Sequence, residues 1–205
     1  SLLKEASDGG GRLFEVSGPV YEKIAFGNRS EGVIAVAVRP RASLKDIPIR
    51  ENPLFVVIEG IEKPGNLGAI IRTAQAAGAD AVLVADARTD IYNPYVVRSS
   101  IGALFEARVV QAESGEIISW LKEREVRIAC ACVKGDMAYT SVDFRGRLAI
   151  AVGSEEKGLT GLWKESADSR VTIPMAGKVD SLNVSCAAAI LLFEAVRQRG
   201  DIARR

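Results

Sequence analysis

The chain has 205 residues, with 27 basic and 26 acidic side chains and a net charge of +1. That length suits one full α/β domain with a small appendage, and that charge excludes the strongly basic class of nucleic-acid binder while leaving room for a local basic patch. There is no histidine, so Ser-His-Asp triads, His-ligated zinc and imidazole general bases are all excluded.

Along the first 40 residues, "RLFEVS" (12–17) alternates like a strand, "PVYEKIAFG" (19–27) has helical spacing ended by Gly27, and "GVIAVAV" (32–38) has the β-branched content of a buried strand. Residues 39–53 carry three prolines and mixed charge, as a linker does. From Leu54 the pattern alternates. Strands are predicted at 54–59, 81–86, 107–111, 126–132, 148–153 and 170–174, and helices at 67–77, 94–104, 115–124, 160–167 and 182–199. Apolar strands joined by helices imply an α/β fold with a mainly parallel sheet covered on both faces. The longest apolar runs, such as "CAAAILLF" (186–193), fall short of the roughly 20 residues that cross a bilayer, and residues 1–30 show no secretory pattern, so the expected location is the cytoplasm. Cys130, Cys132 and Cys186 lack zinc-finger spacing and read as small core residues, and no metal is expected.

Ligands of parallel sheets bind beyond the carboxyl ends of the strands, and three loops there have unusual composition. The first, "EGIEKPGNLGAIIRTA" (59–74), brackets four residues with glycines like a P-loop but has Asn66 and Leu67 where Lys and Ser/Thr are needed. On the following helix Gly68, Arg72 and Gln75 share a face opposite Ile70, Ile71 and Ala74, which turns Arg72 away from the sheet. Asn66 is placed to cap this helix. Asp86, at the end of the second strand, suits a ribose hydroxyl and keeps a nucleotide-dependent oxidoreductase open as an alternative. In the second loop, "VGSEEKGLT" (152–160), Gly153 would let a ligand approach the backbone, and Gly158 permits a tight turn. The third, "IPMAGKVDSLNVSCA" (173–187), is a polar loop running into an apolar helix that Ser181 is placed to cap, with Asn183 in the first turn.

Taken in order, "NLGAIIRTA", "GSEEKGL" and "IPM" followed by "SLNVSCA" resemble the three motifs of the SpoU (TrmH-type) RNA ribose 2′-O-methyltransferases of the SPOUT superfamily, over residues 52–199. "VVRSSIGALF" (96–105) is similar to a segment of that family between its first two motifs. The resemblance implies a SPOUT domain over 53–205 with a carboxyl-terminal trefoil knot, S-adenosylmethionine bound in the knot, and a homodimer. It implies cofactor contacts from Gly153, Glu155, Gly158, Ile173, Pro174, Met175, Leu182 and Ser185, and catalytic roles for Arg72, Asn66, Ser181 and Asn183. Residues 1–40 are similar to the latter half of a ribosomal-protein-like RNA-binding domain whose beginning would lie ahead of Ser1, with 41–52 as linker. RNA is the implied partner, ribosomal RNA ahead of transfer RNA, with a tRNA ribose 2′-O-methyltransferase as an alternative, met by the first segment and by Arg29, Arg39, Arg41, Arg98 and Lys178. A non-catalytic RNA-binding protein is the other alternative, against which stands the joint presence of Arg72, Ser181 and Asn183.

Overall fold

The computed structural model describes residues 2–27, 32–40 and 42–200, in two compact units, Ser1–Arg39 and Pro40–Arg205. In the first unit, helices α1 (Leu2–Asp8) and α2 (Gly18–Ile24) form, the latter with Pro19 in its first turn, where a missing N–H costs nothing. The strands expected at 12–17 and 32–38 do not form among the described residues. A strand needs a neighbour for its N–H and C=O groups, and without one Val36 and Val38 remain 97% and 94% exposed.

In the second unit the proline-rich stretch is docked, not loose. A 3-10 turn at Leu44–Asp46 is closed by Ser43, whose N–H and Oγ–H both donate to Asp46 Oδ2 at 2.9 and 2.7 Å, and Leu44 and Ile47 are buried. The chain then gives β1 (Leu54–Glu59), α3 (Pro64–Ala76), β2 (Ala81–Ala85), α4 (Pro94–Ser100), α5 (Ala103–Glu106), β3 (Val109–Ala112), α6 (Ser114–Lys122), β4 (Arg127–Ala131), β5 (Met137–Ala138), β6 (Leu148–Val152), α7 (Gly161–Ser166), β7 (Ser169–Thr172) and α8 (Val184–Arg199). The seven strands lie in the order β3-β2-β1-β6-β4-β7-β5, every pair parallel. This is the α/β fold with a parallel sheet that the pattern predicts.

Side chains of β1 alternate between two apolar layers. Leu54, Val56 and Ile58 pack with Leu67, Ile70 and Ile71 of α3 and Leu191 and Leu192 of α8. Phe55 and Val57 pack on the other face with Ile117 and Leu121 of α6 and Trp163 of α7.

Several boundaries move for identifiable reasons. Pro64, preset in φ for a first turn, starts α3 three residues before the predicted point, so Asn66 lies inside the first turn and Lys63 is the cap. Gly68 is not on an exposed face. It is buried against α4, where a Cβ would lie 1.9 Å from Ser99 Oγ and 2.6 Å from the Val96 carbonyl oxygen. The predicted helix 94–104 divides at Ile101 and Gly102, whose φ values of +51° and +84° are left-handed. α8 is capped by Asn183, which accepts from the Ser185 N–H, and not by Ser181. Of the cysteines only Cys130 is buried; Cys132 is half-buried and Cys186 exposed.

Candidate active site

The carboxyl ends of β6, β4 and β7 open into a cleft of about 420 Å³. Its central wall is the loop 153–159, which closes on itself. The Gly158 N–H donates to the Ser154 carbonyl at 2.9 Å, and Gly158 takes φ +63°. A Cβ on Gly153 would stand 2.0 Å from the Gly158 carbonyl carbon and 2.2 Å from the Leu159 nitrogen. The first glycine therefore makes room for the second limb of its own loop, a stricter requirement than the approach of a ligand. Gly153, Glu155, Gly158, Ile173, Met175 and Leu182 line the cleft, joined by Ser181, to which the resemblance gives a catalytic role. Pro174 and Ser185 are not among the lining residues. The cleft also takes in residues 131–134 after β4, with Lys164 and Arg170. The sequence reading missed this fourth wall because "ACACVKG" reads as strand and core cysteines. The signal available was that Val133, Lys134 and Gly135 leave a parallel strand at the same edge as the other loops.

Polar residues from each of the three motifs, Asn66, Glu155, Asn183 and Ser185, form one hydrogen-bonded chain beside the cleft. The Ser185 N–H and Oγ–H donate to Asn183 Oδ1 at 2.9 and 2.6 Å, Asn183 Nδ2 donates to Asn66 Oδ1 at 3.1 Å, and Asn66 Nδ2 donates to Glu155 Oε1. A backbone N–H can only donate, so it fixes which end of the Asn183 amide is oxygen, and the orientation of Asn66 follows. Ser185 thus reaches the site through Asn183.

Arg72 is not brought to this cleft. Six residues past Asn66 is about 9 Å along a helix, and the side chain emerges in a separate hollow of about 300 Å³ with Ala69, Thr73, Ser99, Ala189 and Phe193. It is exposed and makes no hydrogen bond or ion pair with the described residues. Of the basic residues expected to meet RNA, Arg39, Arg98 and Lys178 are exposed, while Arg29 and Arg41 lie outside the described residues.

Asp86 is engaged elsewhere. Its carboxylate accepts from the Ser114 N–H at 3.1 Å and Oγ–H at 2.6 Å, holding the start of α6, so the residue that supported a ribose-binding oxidoreductase is occupied. Burial pushes the Cys130 thiol up to about 12, and it also raises Cys132, against the opposing pull of Lys164 and Arg170. Among the described residues, no group of three or more Cys, Asp or Glu side chains could hold a metal, and no helix is long and apolar enough to cross a membrane.

Residues 53–193 match the SpoU rRNA Methylase family. The chain is 39% identical over 173 residues to a 23S rRNA (uridine(2479)-2′-O)-methyltransferase of Streptomyces viridochromogenes, an alignment covering 82% of this chain and 60% of that protein. It is 34% identical to the 23S rRNA (guanosine-2′-O-)-methyltransferase RlmB of Ralstonia nicotianae, covering 98% of this chain and 83% of that one. The AdoMet-bound rRNA methyltransferase of Sinorhizobium meliloti superposes with a TM-score of 0.84 at 29% identity, covering 96% of this chain and 76% of that one. With the three motifs meeting at one sheet edge and the match running through all of them, the chain belongs to the SpoU rRNA methylase family.

Proposed function

We propose that this chain is an S-adenosylmethionine-dependent methyltransferase acting on a ribose 2′-hydroxyl of ribosomal RNA. The observation that carries the proposal is the chain of contacts from Glu155 through Asn66 to Asn183 and Ser185, which ties three loops from different strands together beside a ligand-sized cleft. A cleft of about 420 Å³ falls in the range of small-molecule sites. Its lining fits the cofactor: Val152, Ile173 and Leu182 offer apolar walls to an adenine ring, and the backbone of the 153–159 loop borders the same space. When bound, S-adenosylmethionine supplies a methyl group on a sulfonium, with a thioether as leaving group, so no metal is required.

The task left to the protein is to position a ribose hydroxyl and favour its developing alkoxide. Ser181 and Asn183 sit where they can hydrogen-bond a nucleotide, and Asn66 holds Asn183 in place. The guanidinium of Arg72 presents a planar fork suited to the phosphate beside the reacting ribose, and that phosphate or water receives the proton. Because Arg72 stands outside the cleft of its own chain, we assign it to the site of a second copy in a homodimer. The support is its exposed, unpaired guanidinium beside Ala189 and the half-exposed Phe193. We also take the fold to be knotted at its carboxyl end. In support, Gln198 bridges the Val142 carbonyl and the Phe144 N–H, and Arg199 donates to the carbonyls of Asn52, Pro53, Phe144 and Gly146. A ribosomal RNA substrate supports the cytoplasm as the location of the activity.

Calorimetric titration with S-adenosylmethionine and with NAD tests the cofactor. Binding of the first and not the second is expected, and the reverse would overturn the proposal.

A further inference from the structure

A buried carboxylate lies behind the cleft, and the mechanism above does not use it. Glu59, the last residue of β1, is only 3% exposed, and no cation pairs with it among the described residues. A carboxylate in that position requires hydrogen bonds, and it has them. The Thr160 N–H donates to Glu59 Oε2 at 2.7 Å and the Thr160 Oγ–H to Oε1 at 2.7 Å. Around this pair, Ser114 Oγ stands 3.5 Å from Glu59 Oε1, donates to Asp86 Oδ2 at 2.6 Å, and accepts from Trp163 Nε1 at 2.8 Å.

Glu59 begins the first motif loop, where Gly60 turns the chain at φ +61°, and Thr160 ends the second. Thr160 follows directly on Gly158 and Leu159, the limb of the cleft wall that must stay within contact of Gly153. A loop with one turn, at 155–157, between two glycines and with several exposed side chains has little packing to fix it; Leu159 is its buried anchor and Thr160 its polar one. We infer that Glu59 is a positioning residue for cofactor binding, holding the 153–159 loop through Thr160 in the form that walls the cleft. This rests on the reading of the cleft as the S-adenosylmethionine site. Both donors of Thr160 point at the carboxylate, so a pure acceptor is needed; an amide would turn a donor toward one of them.

The test uses the full chain. Glu59→Gln keeps the shape and removes one acceptor. Thr160→Val removes one donor and leaves the backbone, and Thr160→Ser restores it. S-adenosylmethionine affinity is measured by calorimetry well below each thermal midpoint, with KM and kcat for methyl transfer. A lost hydrogen bond to a charged acceptor predicts an affinity about tenfold weaker for Glu59→Gln and several-fold weaker for Thr160→Val. Thr160→Ser should bind as the parent does, and kcat at saturating cofactor should change less than about twofold, because only ground-state positioning is lost. Affinities unchanged in Glu59→Gln and Thr160→Val, with only a lowered thermal midpoint, would overturn the inference. So would a fall in kcat without a rise in KM. Should Glu59→Gln fail to fold, the Thr160 pair decides alone. A parent protein that binds no S-adenosylmethionine would refute the cleft reading itself, a result distinct from parent binding that the variants leave untouched.

Discussion

Gly153→Ala places one methyl group where the loop passes closest to itself. The added carbon would lie 2.0 Å from the Gly158 carbonyl carbon, 2.2 Å from the Leu159 nitrogen and 2.3 Å from the Gly158 oxygen. Ordinary carbon contacts are about 3.5–4.0 Å, so the two limbs must part by about 1.5–2.0 Å. All three atoms are backbone, and none can swing aside as a side-chain tip would. Inserting a methylene into packed structure costs about 1–3 kcal/mol. Here the strain falls on the loop that walls the cleft, so the larger effect should be functional. The Ser154–Gly158 closure opens, and Glu155 moves with it away from Asn66. The variant should remain folded by circular dichroism, with a thermal midpoint several degrees lower. Its S-adenosylmethionine affinity should fall by at least about tenfold, on the scale of about 1.4 kcal/mol. Parental affinity in calorimetry, together with a parental midpoint, would refute the packing argument for this loop.

If each site draws Arg72 from a second copy, Arg72→Ala and Asn183→Ala should each abolish methyl transfer. Co-refolding equal amounts should then restore roughly a quarter of parental activity, since half of random dimers carry one intact site of two; no recovery would place Arg72 in the site of its own chain or in none. In native protein, iodoacetamide should modify exposed Cys186 and spare Cys130, whose thiol is buried and pushed up to about 12. Peptide mapping before and after unfolding reads this directly. Glu194 is held at about 2 by hydrogen bonds from Arg197 and Gln198, below its unfolded value. Its contribution is therefore complete above about pH 4.5, declines as the pH falls, and is gone below about 2. Glu194→Gln should lower the thermal midpoint at pH 6 and leave it nearly unchanged at pH 2, as scanning calorimetry would record.

The parallel sheet was legible because six of its strands are apolar runs separated by helical spacing, a pattern that sheets buried on both faces require. The two-residue β5 is too short to produce any pattern. Helix starts were less legible where two candidate residues compete. Pro64 outranks Asn66, since proline's fixed φ begins the helix before an amide can cap it. Asn183 outranks Ser181 because it stands next to the first helical residue, Val184. Motif order pointed to the cleft lining, yet the contacts Trp163–Ser114, Ser114–Glu59 and Thr160–Glu59 follow no spacing rule, since they join residues 49, 55 and 101 apart. The position of Arg72 follows the same logic. Its exposure could be read from the sequence, although Gly68, assigned to the same face, is buried against α4; that Arg72 opens on a hollow apart from the cleft could not.

The central claim is tested most directly by incubating the protein with methyl-labelled S-adenosylmethionine and 23S rRNA, then hydrolysing the RNA in alkali. Methylation of a 2′-hydroxyl blocks cleavage of the adjoining phosphodiester, so the label should appear in an alkali-resistant dinucleotide. Label recovered in mononucleotides would mean that the methyl group went to a base, and no label in RNA would mean that the cleft serves another reaction.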